Sequence, residues 1–178
     1  MGTAAIGRPV YINIKQEDSD DKFSLEAFRR KGVAVLDTAY RKGIRHFDTA
    51  PNYGLAEDLL IGWIKEKNDP SLSVSTKWGY TYVADFDPNA VEHEVKEHSL
   101  KKLNEQWKVS KSLLPNLKLY QIHSATFESG VLKNTEVLYR LHELKQEFGL
   151  TLGLTITGGN QVEVLKEALT VEVENERL

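Results

Sequence analysis

Short apolar runs alternate along the chain with longer segments in which apolar residues recur every three or four positions, a pattern that predicts a repeating order of strand, loop and helix. Ser24 followed by Leu25, Phe28, Val33, Val35, Leu36 and Ala39 predicts a helix ending near Gly43, a natural C′ residue. Ile44 to Phe47 reads as a short strand. Leu55, Leu59 and Trp63 then give the next helix one buried stripe, closed by Asn68-Asp69-Pro70. Leu72 to Lys77 is a strand ending in a lysine, and an aromatic-rich loop with Trp78, Tyr80, Tyr82 and Phe86 follows. Pro88 opens a predicted helix whose apolar side is Val91, Val95, Leu100 and Leu103. Leu117 to His123 alternates apolar and polar residues as a strand. Val131 to Phe148 is a helix with Leu138, Leu141, Leu144 and Phe148 inward and Gly149 as its stop. Leu150 to Ile156 is a further strand, Thr157-Gly158-Gly159-Asn160 a turn, and Val162, Leu165 and Leu169 the apolar face of a last helix.

The remaining segments are less regular. Residues 2 to 7 are small and apolar and read as a short strand whose glycines let a neighbour approach the backbone. Tyr11 to Asp21, acidic at its end, reads as a solvated loop, and Thr170 to Leu178 shows no complete strand. The strand–loop–helix unit recurs every 25 to 35 residues or so, roughly the size of a right-handed βαβ unit of a parallel sheet, and five such units fit one domain over residues 1–178. Neither a Gly-x-Gly-x-x-Gly after the first strand nor a P-loop is present, so a (β/α)8 TIM barrel fits better than a doubly wound sheet.

A chain of 178 residues with 40% hydrophobic content can form one real core. The net charge of -3 and pI near 6.0 give no reason to expect nucleic acid or an anionic membrane as partner. With no cysteine, disulfides, thiolate nucleophiles and Cys-based metal sites are excluded. No run approaches the length of a membrane span, and the first residues lack a leader pattern, so a soluble, cytoplasmic protein is expected. His93 and His98 are five apart, where a helical metal pair needs three or four, so they read as surface residues and no metal site is expected.

The stretch from Arg45 to Glu57 carries the candidate chemistry. Asp48, Tyr53, Lys77 and His123 each lie at or just after the C-terminal end of a predicted strand, where parallel sheets place their sites. Singly, each has an ordinary reading as an N-cap, a half-buried tyrosine, a rim lysine or a packed histidine. Together, Phe47-Asp48-Thr49-Ala50 with Tyr53-Gly54 and Glu57, then Ser75-Thr76-Lys77, then Leu119-Tyr120-Gln121-Ile122-His123, resemble the aldo-keto reductase family of NADPH-dependent (β/α)8-barrel oxidoreductases. The match runs in the family's order from Gly2 to Leu169.

The resemblance implies a catalytic tetrad of Asp48, Tyr53, Lys77 and His123 acting on a small carbonyl or sugar substrate. Hydride arriving at a carbonyl carbon builds negative charge on the oxygen, which a proton donor must neutralise. Tyr53 would be that donor, Lys77 would ease its proton transfer, Asp48 would hold Lys77, and His123 would orient the carbonyl. The reaction implied is reduction of an aldehyde or ketone, or the reverse oxidation of an alcohol or aldose, with NADP as cofactor and NAD as the second choice. Asp48 and Thr155 fall at cofactor positions, Thr155 where the family often has a serine on the nicotinamide carboxamide. Trp78 and Tyr80 fall where substrate-pocket aromatics occur, and read equally as loop packing.

A complete barrel of this type needs about 250 residues. Five units leave out the part that, in the family, stacks on the nicotinamide and grips the pyrophosphate and 2′-phosphate. Three readings follow: the N-terminal part of a reductase, a half-barrel whose open sheet edges associate with another copy, or a non-catalytic regulatory or scaffold subunit. The intact tetrad argues against the third. On its own the chain is expected to bind NADPH weakly and to be inactive.

Overall fold

A computed structural model describes residues 1–8, 10, 11, 14, 15, 24–87 and 89–177. The strands that build the main sheet and the hairpin beside it are β1 (His46–Asp48), β2 (Ser73–Trp78), β3 (Tyr80–Tyr82), β4 (Glu94–Lys96), β5 (Leu117–Ala125) and β6 (Thr151–Ile156). At the start of the segment expected as a loop, Val10–Tyr11 pairs with Ile14–Lys15 in a short antiparallel hairpin. The helices are α1 (Leu25–Arg41), α2 (Ala56–Lys67), α3 (Leu100–Ser110), α4 (Thr135–Phe148) and α5 (Gln161–Ala168). β1, β2, β5 and β6 lie side by side, all parallel, in chain order. Strands paired in chain order with a helix between each are the first units of a (β/α)8 barrel wall.

A further parallel position precedes β1. Gly2 bridges Asp48, with Asp48 N–H donating to the Met1 carbonyl at 2.8 Å and Thr3 N–H to the Asp48 carbonyl at 2.9 Å. The strand expected over residues 2 to 7 is confined to this bridge, because Ala4–Gly7 forms a single helical turn. That turn brings Gly7 against the segment after β1, where its carbonyl accepts from Leu55 N–H at 2.7 Å. A Cβ on Gly7 would lie 1.8 Å from the Tyr53 carbonyl oxygen, so only glycine permits the approach.

The helices start and stop as their end residues dictate. Ser24 Oγ accepts from Ala27 N–H to cap α1, and Gly43 follows its end at φ 88°. Asn134 caps α4, and Gly149 ends it in the left-handed conformation. Between helices and sheet, Leu36, Phe47, Leu60, Trp63, Leu103 and Leu144 form one core with Trp107 and Tyr120, whose rings meet edge-on at 5.2 Å.

Three expectations are corrected. The helix predicted from Pro88, a residue outside those described, is replaced by an antiparallel hairpin pairing Tyr80 with Lys96, Thr81 with Val95 and Tyr82 with Glu94. Asp85 and Phe86 both adopt positive φ and turn the chain, leaving Val91 fully exposed, and the true helix start is Ser99, whose hydroxyl accepts from Lys102 N–H. In α5 the inward residue is Val164. Val162, Leu165 and Leu169, expected to face the core, are 59%, 45% and 61% exposed, so the helix presents its apolar stripe outward. The C-terminal tail forms a small hairpin, Glu172–Val173 with Glu176–Arg177, tied to α4 where Lys145 Nζ donates to the Arg177 carbonyl at 2.9 Å. The acidic run from Glu17 to Asp21 lies outside the described residues. No helix among the described residues is long and apolar enough to cross a membrane.

Candidate active site

Alternation along β2 sends successive side chains to opposite faces of the sheet. Thr76 points into the helix layer, where its hydroxyl donates to Glu57 Oε1 at 2.7 Å. Ser75 and Lys77 point the other way, toward Asp48, which the parallel register sets beside Ser75. Lys77 Nζ donates to Asp48 Oδ1 at 2.5 Å and to the Thr49 carbonyl at 3.0 Å, while Ser75 Oγ donates to Asp48 Oδ2 at 2.6 Å. Both carboxylate oxygens are therefore engaged, and the ammonium is fixed by two acceptors. Its third face looks toward Tyr53, with Nζ 5.0 Å from the ring centroid.

Tyr53 sits in the turn between β1 and α2, where its N–H donates to the Ala50 carbonyl at 3.0 Å. Gly54, at φ 62°, closes the turn against Gly7: a Cβ there would lie 2.4 Å from the Gly7 carbonyl oxygen. The Tyr53 ring is buried and stands edge-on to His123, centroids 5.8 Å apart and planes at 87°.

His123 reaches this position through a bulge. Pairing of β5 with β6 runs to Ile122 opposite Leu154 and resumes at Ala125 opposite Ile156, so β5 carries one extra residue. Ser124 takes φ 55°, and its N–H, lost to the ladder, donates to Thr155 Oγ1 at 2.7 Å. Thr155 thus secures the turn that aims His123. Its hydroxyl hydrogen has no acceptor among the described residues and can donate to a ligand. The His123 carbonyl accepts from His98 Nε2–H at 2.9 Å, which fixes the His98 tautomer. Burial pushes both imidazoles down to about 4, helped at His123 by the Lys77 charge and at His98 by that of Lys96. Both rings are neutral at neutral pH, so His123 can offer a hydrogen bond without carrying charge.

The two aromatics diverge. Tyr80 meets His123 ring to ring at 4.9 Å, whereas Trp78 is fully buried in the core with its ring on His98, 5.3 Å away. His98, expected on the surface, fills the space over Gly79, where a Cβ would lie 2.2 Å from its Cδ2. Sequence reasoning also passed over Ser75, which the two-residue period places on the face of Lys77. Asn52 escaped it too: it ties the Tyr53 turn to the hairpin by donating to Glu94 Oε2 at 2.9 Å, and Arg8 Nη1 donates to the same oxygen at 3.2 Å. Both contacts join distant segments and leave no local signal.

Beneath the site, Glu57 Oε1 accepts hydrogen bonds from Thr76 and, at 2.9 Å, from Ser110. Burial raises this carboxyl to about 7 against the pull of those hydroxyls and of Lys77.

Comparison with solved structures finds the same fold. A putative aldo-keto reductase from Pseudomonas aeruginosa superposes with a TM-score of 0.64 at 22% identity, over 96% of this chain and 57% of that one. An aldo-keto reductase from Bacillus halodurans in its holo form gives 0.65 at 24%, over 96% and 49%. The glycerol dehydrogenase from Gluconobacter oxydans gives 0.63 at 22%, over 94% and 47%. The chain therefore spans about half the length of these proteins. Among curated proteins none matches at a significant level. The profile of the aldo/keto reductase family matches residues 13–175, and the chain belongs to that family.

Proposed function

We propose that the chain carries the proton-transfer half of a carbonyl reductase site, reducing an aldehyde or ketone to an alcohol, or running the reverse oxidation, with NADPH as hydride source. The observation that carries this reading is the Lys77 ammonium, clamped by Asp48 and Thr49 and directed at the Tyr53 ring, with His123 edge-on to the same ring. Tyr53 O–H gives its proton to the substrate oxygen as charge develops there, and the fixed Lys77 charge stabilises the phenolate left behind. The neutral His123 ring orients the carbonyl. Tyr80 forms a wall of the substrate mouth.

A bound nicotinamide supplies the hydride, and the residues present fit that end of the cofactor. The undonated Thr155 hydroxyl and the partly exposed Asp48 carboxylate lie at the C-terminal ends of β6 and β1, and would hold the carboxamide and ribose. NADPH over NADH follows the family resemblance.

Two measurements test the reading. The 178-residue chain alone is expected to bind NADPH weakly, so a low-micromolar dissociation constant by fluorescence titration would overturn that expectation. In the protein expressed as encoded, Tyr53→Phe is expected to abolish reduction of benzaldehyde while leaving cofactor affinity nearly unchanged. Turnover close to wild type would remove Tyr53 as the donor.

A further inference from the structure

Glu94, Lys96 and His98 alternate along β4 and the turn after it. The hairpin register sets Glu94 opposite Tyr82 and Lys96 opposite Tyr80, so one face carries two tyrosines, a carboxylate and an ammonium, while Val95 on the other face is exposed. Gln106 on α3 holds this hairpin at its root, accepting from Gly79 N–H at 2.8 Å and donating to the Tyr80 carbonyl at 2.7 Å.

Two of the three polar groups are committed within the fold. Glu94 is neutralised by Arg8 and held by Asn52, and His98 spends its one N–H on the His123 carbonyl. Lys96 is different. Its Nζ has the Thr126 hydroxyl at 3.5 Å and the Tyr80 ring at 5.8 Å, and no carboxylate lies within 4.0 Å of it among the described residues. Glu128 acts on it only at longer range, is itself exposed, and takes its own hydrogen bond from Thr126. Burial already disfavours the Lys96 charge. A half-buried cation without a close counter-ion is costly in the free protein, and an arriving anion offsets that cost.

The position gives the charge its meaning. Lys96 lies against Tyr80, and Tyr80 lies against His123, so one aromatic ring separates the ammonium from the imidazole. We propose that Lys96 receives an oxyanion, carboxylate or phosphate, carried by the substrate at the end remote from its carbonyl, and that the chain selects acidic carbonyl compounds. This rests on the placement of the carbonyl at Tyr53 and His123 argued above.

The test is binding without cofactor or turnover, so that its outcome is separate from that of Tyr53→Phe. The probes are 4-carboxybenzaldehyde, 4-formylphenyl phosphate and neutral 4-formylbenzamide, titrated into the chain while the His123 and His98 ring protons are followed by NMR. Both anionic aldehydes are expected to bind about five- to ten-fold more tightly than the amide, as one partly shielded ion pair provides. Lys96→Met should erase the difference, Lys96→Arg should keep it, and Glu128→Gln should widen it. Whichever anion binds more tightly names the substrate group. Equal affinity for all three probes in the unmodified chain, or an anion preference that survives Lys96→Met, would overturn the proposal.

Discussion

Replacing Glu57 by glutamine isolates the energetic effect of a buried acid. The carboxyl is 4% exposed, accepts from two hydroxyls through one oxygen, and is raised from 4.5 to about 7 by burial. A carboxyl that holds its proton more tightly when folded destabilises the fold once the unfolded chain has released it. The penalty is absent below 4.5, grows as pH rises, and is complete just above the folded value near 7. The span between those two values corresponds to about 3 kcal/mol. Glutamine keeps the accepting oxygen and cannot ionise, so Glu57→Gln should match wild type near pH 4.5 and exceed it by about 3 kcal/mol near pH 8. With a urea slope of about 2 kcal/mol per molar, the midpoint difference should open from near zero to about 1.5 M. Urea unfolding of both proteins, followed by tryptophan fluorescence at half-unit steps of pH, measures this directly. Groups common to both proteins cancel in the difference. A midpoint difference that stays flat from pH 4.5 to 8 would show that burial does not hold Glu57 protonated.

The histidines act in the opposite sense. His98 and His123, lowered from 6.5 to about 4, stabilise the fold fully above 6.5 and lose that contribution as pH falls toward 4, so their ring protons should titrate near 4 by NMR, and midpoints near 6.5 would contradict the burial. Gly7→Ala, whose Cβ would strike the Tyr53 carbonyl and the first turn of α2, should cost about 2 kcal/mol or more in urea unfolding. Gly62→Ala, inside α2 with nothing within 4 Å of the added carbon, should stabilise by about 0.5 to 1 kcal/mol, and the reverse order of the two would refute the packing argument.

The contrast between β2 and β4 shows what the sequence could disclose. β2 is buried along nearly its whole length, and its residues announce it: alternating Val74, Thr76 and Trp78 against Ser75 and Lys77, with the lysine at the end where a parallel sheet keeps its chemistry. The strand position of Asp48, Lys77 and His123 followed from such local patterns, and so did the caps at Ser24 and Gly149. β4 gave no such signal. Its three residues are only partly covered, its one apolar residue faces solvent, and Val91, Val95, Leu100 and Leu103 mimic a helical stripe although Val91 is fully exposed and Val95 lies outside the core. What fixes β4 is contact at a distance: Glu94 with Arg8 and Asn52, Lys96 with Thr126, and the turn's His98 with the His123 carbonyl. The bulge at Ser124 is hidden for the same reason, since its cause is the Thr155 hydroxyl 31 residues later. The residues proposed for proton transfer could be read locally because strand ends carry them. Those that aim and seat them come from segments joined only by folding, and the hairpin that holds the Tyr53 turn and His123 in place is also the element that carries the uncommitted charge of Lys96.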